Sequence, residues 1–275
     1  MQIVTTTGVF PIGTNPFHII DRLADLGYTA LDMSFDYEEL SQAEFMSDNY
    51  EEWASRLRKY AENRGVRFTH SHGSFDANAT GDIVTRNLRC AQILGIRYMV
   101  VHPVFRGEDG QIITDPEQFY AVNQPNYKRL ATEASKYGVI ILSENLLWGA
   151  SIPPIYQSEL VARVNSPNFG WCLDTGHLNR CGLHADALLG LKHPPLSLHV
   201  HDNSGKHDEH LLPGDGTIDW KAYLDALRNL GYAGKFVLEA HHQSRDAQDC
   251  QRNAILTDLL GRAQLMTQYF CRKNI

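Results

Sequence analysis

The sequence predicts an α/β protein built as one (β/α)8 TIM barrel over residues 1–275, and three observations carry that prediction. Eight short runs rich in β-branched and apolar residues alternate with helical patterns across the chain. Several of the runs are continuously apolar, as parallel strands buried on both faces are. The whole alternation occupies about 250 residues, the usual size of such a barrel. A doubly wound open sheet would alternate too, but its dinucleotide-binding form needs a GxGxxG turn after the first strand, and GVFPIGTNP at 8–16 has none.

The predicted strands are, in order, QIVTTTG at 2–8, ALDMSF at 30–35, VRFTHSH at 66–72 and YMVVHP at 98–103. They continue with VIILSEN at 139–145, FGWCLD at 169–174, LSLHVHD at 196–202 and KFVLEA at 235–240. Between them, NYEEWASRLRKYAENRG places Trp53, Leu57 and Tyr60 on one helical stripe and stops at Gly65. DWKAYLDALRNLGYAG has Asp219 as N-cap, Tyr223, Leu224 and Leu227 facing inward, and Gly231 as its stop. A short helix is expected at 184–191, ahead of Pro194 and Pro195. The stripe in AILTDLLGRAQLMTQYF at 254–270 suits packing on the barrel, and a homo-oligomeric contact is the alternative.

Composition narrows the class. At 43% hydrophobic and 21% charged residues the chain can bury a full core. A net charge of -7 argues against a general nucleic-acid or anionic-membrane binder. The five cysteines show no CxxC spacing, which points to a reducing compartment, and MQIVTTTGVF does not read as a signal peptide. No apolar run approaches the roughly 18 residues a membrane span needs, so a cytoplasmic protein is expected.

Metal-ligand side chains fall at the carboxyl ends of the predicted strands: His70 and His72, His102, Glu144, Asp174 with His177, His199 and His201, and Glu239. In a parallel barrel these ends share one rim, where barrel enzymes hold their active sites. A carboxylate inside VIILSEN or KFVLEA is costly to bury unpaired, and a divalent cation removes that objection. The crowded stretch LHVHDNSGKHDEHLLPGDG at 198–216 is then expected to complete a metal site begun on other strands. His207 reads as a solvated loop residue, and His18, His184, His193, His241 and His242 as surface or packing residues. Phe10, Phe35, Phe105 and Trp148 suit either the apolar face of a sugar or the packing of the barrel mouth.

SEN at 143–145, LDTGH at 173–177 and LHVHDNSGKHDEHLLPGDGTIDW at 198–220 resemble the xylose isomerase-like TIM-barrel superfamily, which holds sugar-phosphate isomerases, epimerases and endonuclease IV. The epimerase branch implies one divalent ion on Glu144, Asp174, His199 and Glu239, with Glu144 and Glu239 as proton carriers and His177 polarising a substrate oxygen. Such a mixed ligand set suits Mn²⁺, Mg²⁺, Co²⁺ or Zn²⁺. The resemblance to endonuclease IV implies up to three zinc ions, with His72, His102, His177, Asp208 and His210 added to those four. With one ion only, His72, His102, Asp208 and His210 would bind substrate hydroxyls. The ketose 3-epimerases often carry an arginine just after the strand-seven histidine; here HVHDNSGK offers Lys206.

The function expected is therefore a metal-dependent sugar or sugar-phosphate isomerase or epimerase working through an enediolate, with a small carbohydrate as its partner. The alternatives are a trinuclear zinc phosphodiesterase acting on abasic DNA, a dehydratase or lyase, and a barrel that binds metal and ligand without turnover. The acidic stretch DYEELSQAEFMSDNYEE at 36–52 counts against a DNA-gripping rim.

Overall fold

Strands form where the β-branched runs predict them: β1 Ile3–Thr6, β2 Ala30–Ser34, β3 Arg67–His72, β4 Tyr98–Val100, β5 Ile140–Glu144, β6 Phe169–Asp174, β7 Ser197–Val200 and β8 Lys235–Leu238. The computed structural model describes residues 1–35 and 44–272, so residues 36–43 of the acidic stretch after β2 lie outside the described residues. Each strand pairs in parallel with the next, and β8 returns to β1, closing the barrel. Most strands are shorter than their sequence runs by a residue or more. His102, His201 and Glu239 lie just beyond the strands that carry them.

The connecting helices are α1 Pro16–Asp25, α2 Tyr50–Asn63, α3 Asp82–Leu94, α4 Pro116–Ser135, α5 Pro154–Val164, α6 Thr175–Arg180, α7 Trp220–Asn229, α8 His242–Arg245 and α9 Asp249–Cys271. Asp219 caps α7 as predicted, accepting from the Ala222 N–H at 3.0 Å. At 184–191 the expected helix is only a 3-10 turn, Ala185–Leu188. Its backbone is cut short by Gly190 and the coming prolines. The long α9 packs on α7, α8 and β1, while Leu265 on its outer side is exposed. No helix among the described residues is long and apolar enough to cross a membrane.

The main core lies between the strands and the helices, where Leu23, Leu57, Leu88, Leu130, Leu160 and Leu224 are buried together. Two small clusters separate from it, Val4 with Ala30 and Val237, and Val100 with Ile140, Leu142 and Cys172. Side chains two residues apart share a face of a strand. Two residues beyond Val4, Val100, Leu142, Cys172 and Val237 stand Thr6, His102, Glu144, Asp174 and Glu239. The apolar clusters thus form a floor, and the polar groups stand directly above it at the carboxyl ends of the strands. One irregularity interrupts the ladder: Leu31 pairs with Phe68 but Asp32 pairs with His70, so Thr69 is an extra residue in β3.

Candidate metal centre

Four strands bring Glu144, Asp174, His199 and Glu239 to one point, with one ligand atom from each lying within 4.8 Å of the others. All four are buried. His199 Nδ1 donates to Glu144 Oε1 at 2.8 Å and sits 3.4 Å from Glu239 Oε2 and 4.0 Å from Asp174 Oδ2. Three buried carboxylates converging this closely repel one another and need cationic charge between them. The donors are oxygens and an imidazole nitrogen, a set that fits a divalent ion.

Local sequence explains how each group is held. Asp174 ends β6 and caps α6, accepting from the His177 N–H at 2.7 Å. Asn145, next to Glu144, accepts from the Asp174 N–H at 2.8 Å and donates to the Asp174 carbonyl at 3.0 Å. The Asn145 carbonyl in turn accepts from His177 Nδ1 at 2.8 Å, which turns Nε2 of that ring toward Asp208 at 3.5 Å. This is the outer support that ligand rings usually carry. Asn145 carries no sequence signal of this role beyond its place in SEN beside a buried glutamate.

The loop after β7 supplies a second group. His177, His201, Asp208 and His210 each place a ligand atom within 4.8 Å of the others. His210 Nδ1 donates to the Glu239 carbonyl at 2.9 Å, so its Nε2 faces Asp208 Oδ2 at 3.2 Å. His210 adopts a positive φ of 45°, which a non-glycine residue holds only under constraint. It is stacked between His201 and His241, with ring centroids 3.8 and 4.1 Å away. His201 also donates from Nε2 to Asp174 Oδ1 at 3.0 Å, which links the two groups. A third group comprises His72, His102 and Glu144, with His102 Nε2 at 3.1 Å from Glu144 Oε2.

Asp202, by contrast, is a staple. Its carboxylate accepts from the Gly214 N–H, the Ile218 N–H and Trp220 Nε1, which folds residues 203–218 back over the barrel. Gly216 makes this closure fit, since a Cβ there would lie 2.2 Å from Asp202 Oδ1. Gly176 plays the same part under His201, whose ring would meet a Cβ at 2.0 Å.

Above these groups is a cavity of ≈ 200 Å³ lined by Thr6, Ser34, His72, His102, Glu144, His177, His210, Glu239 and His241. Two sequence expectations are corrected here. His241, expected as a surface or packing residue, does pack on His210 but also lines the cavity, because the chain after Glu239 continues along the rim. Lys206 is exposed and absent from the lining, since the Asp202 staple turns its part of the loop outward. Thr6 and Ser34, hydrogen-bonded to each other at 2.7 Å, line the cavity although no sequence pattern marked them. Phe10 and Phe35 are buried, and Phe105 stacks on Trp148 at 4.6 Å outside the lining.

The charges interlock. Burial pushes the Glu144 carboxyl up, but His199, His102 and His72 together hold it well below the usual range. Burial raises Glu239, and the nearby Glu144 and Asp174 add to the rise against the pull of His199 and His72. Burial would lower His72, yet Glu239, Asp32 and Glu144 hold it well above its ordinary value. His199 is raised likewise, with burial opposed by Cys172, Glu239 and Glu144. His177, where burial is outweighed by Asp174, Asp208 and Glu144, is pushed up to about 10.

A closed parallel barrel with its polar groups gathered over the strand ends has the layout of a (β/α)8 enzyme scaffold. The chain belongs to the xylose isomerase-like TIM barrel family, whose family model matches residues 20–259. An uncharacterized protein of Methanocaldococcus jannaschii, MJ1311, is 35% identical over 120 residues, which is 42% of this chain and 41% of that protein. The matched stretch thus spans under half of that relative's length. Among solved structures, the IolI protein with a bound zinc atom superimposes with a TM-score of 0.80 at 19% identity, covering 99% of this chain and 100% of that one. D-psicose 3-epimerase from Clostridium cellulolyticum H10, solved with D-tagatose, gives 0.74 at 16% identity over 97% of this chain and 99% of that one. These likenesses establish the shared fold.

Proposed function

We propose that the protein is a divalent-metal-dependent isomerase or epimerase of a small, unphosphorylated carbohydrate. One observation carries the reading: two buried glutamates, Glu144 and Glu239, share one ligand set and have proton affinities displaced in opposite directions. Paired carboxylates in unlike surroundings are what an acid and a base at one carbon require. The cavity is small, and among the described residues no lysine or arginine lines it, so it suits hydroxyls and a carbonyl better than a phosphate.

A divalent ion held by Glu144, Asp174, His199 and Glu239 would supply Lewis-acid polarisation of the substrate carbonyl and its neighbouring hydroxyl. Glu239, the carboxylate of higher proton affinity, takes the proton from the carbon beside the carbonyl, which leaves an enediolate. Glu144, ionised at rest, would accept a proton from a substrate hydroxyl or solvent and pass it to the opposite face for epimerisation or to the adjacent carbon for isomerisation, while Glu239 gives its proton up to solvent to close the cycle. His177 offers Nε2 to a substrate oxygen, because its Nδ1 is committed to the Asn145 carbonyl. Thr6, Ser34 and His241 line the remaining wall with neutral hydrogen-bonding groups.

A second reading, phosphodiester hydrolysis at several zinc ions, is favoured by one specific observation. The three groups of candidate ligands contain all nine residues that the resemblance to endonuclease IV implies. The net charge of -7 and a cavity lining free of lysine and arginine weigh against a nucleic-acid substrate. The deciding experiment is elemental analysis of protein purified without chelators, joined to two assays. Solvent deuterium entering a ketose carbon, read by NMR across a ketose panel, supports the isomerase reading. Cleavage of an abasic-site duplex without such exchange replaces it with the hydrolytic one.

A further inference from the structure

Asp32 is a buried carboxylate that the proposed chemistry does not use. It stands in the middle of β2, only 1% exposed, and among the described residues neither of its oxygens has a hydrogen-bond partner. A charge so placed is destabilising unless it faces an opposite one. The nearest such group is His72, whose Nδ1 lies 3.6 Å from Asp32 Oδ2. The extra residue Thr69 in the β2–β3 ladder occurs at Asp32, and such bulges re-aim side chains next to functional sites.

His72 itself is over-supplied with carboxylates. Its Nδ1 is 3.5 Å from Glu239 Oε1 as well, and its Nε2 is 3.7 Å from Glu144 Oε2. One imidazole cannot donate to all three. Glu144 and Glu239 belong to the four-residue ligand set, and a cation there draws their oxygens to itself. Asp32 does not belong to that set, so its carboxylate remains for His72.

We infer that Asp32 is a positioning residue: it accepts the Nδ1–H of His72 and so presents the unprotonated Nε2 of that ring to the cavity, as an ion ligand or as an acceptor for a substrate hydroxyl. The inference rests on the metal-centre part of the proposed function and not on the identity of the substrate. The arrangement is a carboxylate–histidine pair in which the outer partner sets the tautomer of the inner one. It also explains why an acidic residue is kept inside a strand that otherwise reads as apolar.

The test reads the tautomer directly. In zinc-loaded protein with ¹⁵N-labelled histidine, long-range ¹H–¹⁵N spectra distinguish Nδ1–H from Nε2–H, and the His72 signals are assigned by their loss in His72→Gln. A single Nδ1–H tautomer is expected in the wild-type chain. In Asp32→Asn, which keeps the size but loses the charge, the ratio of tautomers should shift by about tenfold or more, since a charged acceptor binds N–H more strongly than a neutral one. A wild-type ring protonated at Nε2, or a ratio unchanged in Asp32→Asn, overturns the inference while leaving the metal centre intact. A wild-type chain that takes up no zinc overturns both. The wild-type tautomer decides the matter even if Asp32→Asn fails to fold.

Discussion

Glu239 is an ordinary glutamate by sequence and an unusual one by position. It lies one residue past β8, buried, 3.4 Å from His199 Nδ1 and 3.5 Å from His72 Nδ1. Replacing it with glutamine keeps the shape and removes the proton carrier, so Glu239→Gln should lower turnover by about 10²–10⁴-fold. Retained zinc with unchanged turnover would remove Glu239 from the mechanism. Asn145 acts one step further out, through its bonds to Asp174 and His177. Asn145→Ala should weaken metal binding by roughly 10–100-fold, as losing outer support commonly does. Competition against a chelating dye measures this, and an unaltered affinity would show Asp174 and His177 to be self-supporting. At this scale the sequence was informative wherever chemistry needs a rare residue: a glutamate in an apolar run announces itself. Thr6, Ser34 and Asn145 were silent, because threonine, serine and asparagine at strand ends occur for many structural reasons.

The element that decides the rim is the segment from Asp202 to Trp220. Four polar contacts on one buried carboxylate, counting the Asn203 N–H at 2.9 Å, hold it in place. Asp202→Ala would leave those donors unsatisfied at a destabilisation of about 2–4 kcal/mol. It should also release Asp208 and His210 from their partners. Denaturant unfolding measures the first effect, and metal stoichiometry the second. A variant of native stability that still binds its full complement of metal would show that the loop is held by something else. Residue types alone show a density of candidate ligands here and say nothing of how the segment folds. The resemblance singled out Asp208, which does join His177, His201 and His210, but nothing in the residue pattern marked Asp202 as the staple that holds the loop. Nor did that pattern show that Lys206 turns outward, which follows from the path of the loop.

For the molecule as a whole, the proposed metal would compete with protons for the same ring nitrogens. His72 and His199 are held well above their ordinary values, and His177 at about 10, by the carboxylates around them. In the unfolded chain these rings titrate near 6.5. A folded-state value above the unfolded one stabilises fully below pH 6.5, and that stability is lost as the pH rises through the folded value. Chelator-treated protein should therefore melt at falling temperature from about pH 6.5 toward pH 10. Metal displaces those protons, so the rise in melting temperature on adding zinc should grow over the same interval. Thermal scans at a series of pH values, with chelator and with zinc, check both signs. A chelated protein equally stable across that range would mean the rings are neutral without metal.

Sequence by itself determined the barrel and the four polar side chains that meet at its rim. Strand periodicity, alternation and length specify eight parallel strands, and parallel strands force every carboxyl end onto one rim. Glu144, Asp174, His199 and Glu239 then have to meet. Only the tertiary structure decided what surrounds them. It brought His241 into the cavity, stacked His210 between two other imidazoles, and set Asp32 beneath His72. These are relations between residues far apart along the chain, fixed by strand register, a bulge and the closure of one loop. Such distances are set by packing, and no local pattern of residue types records them.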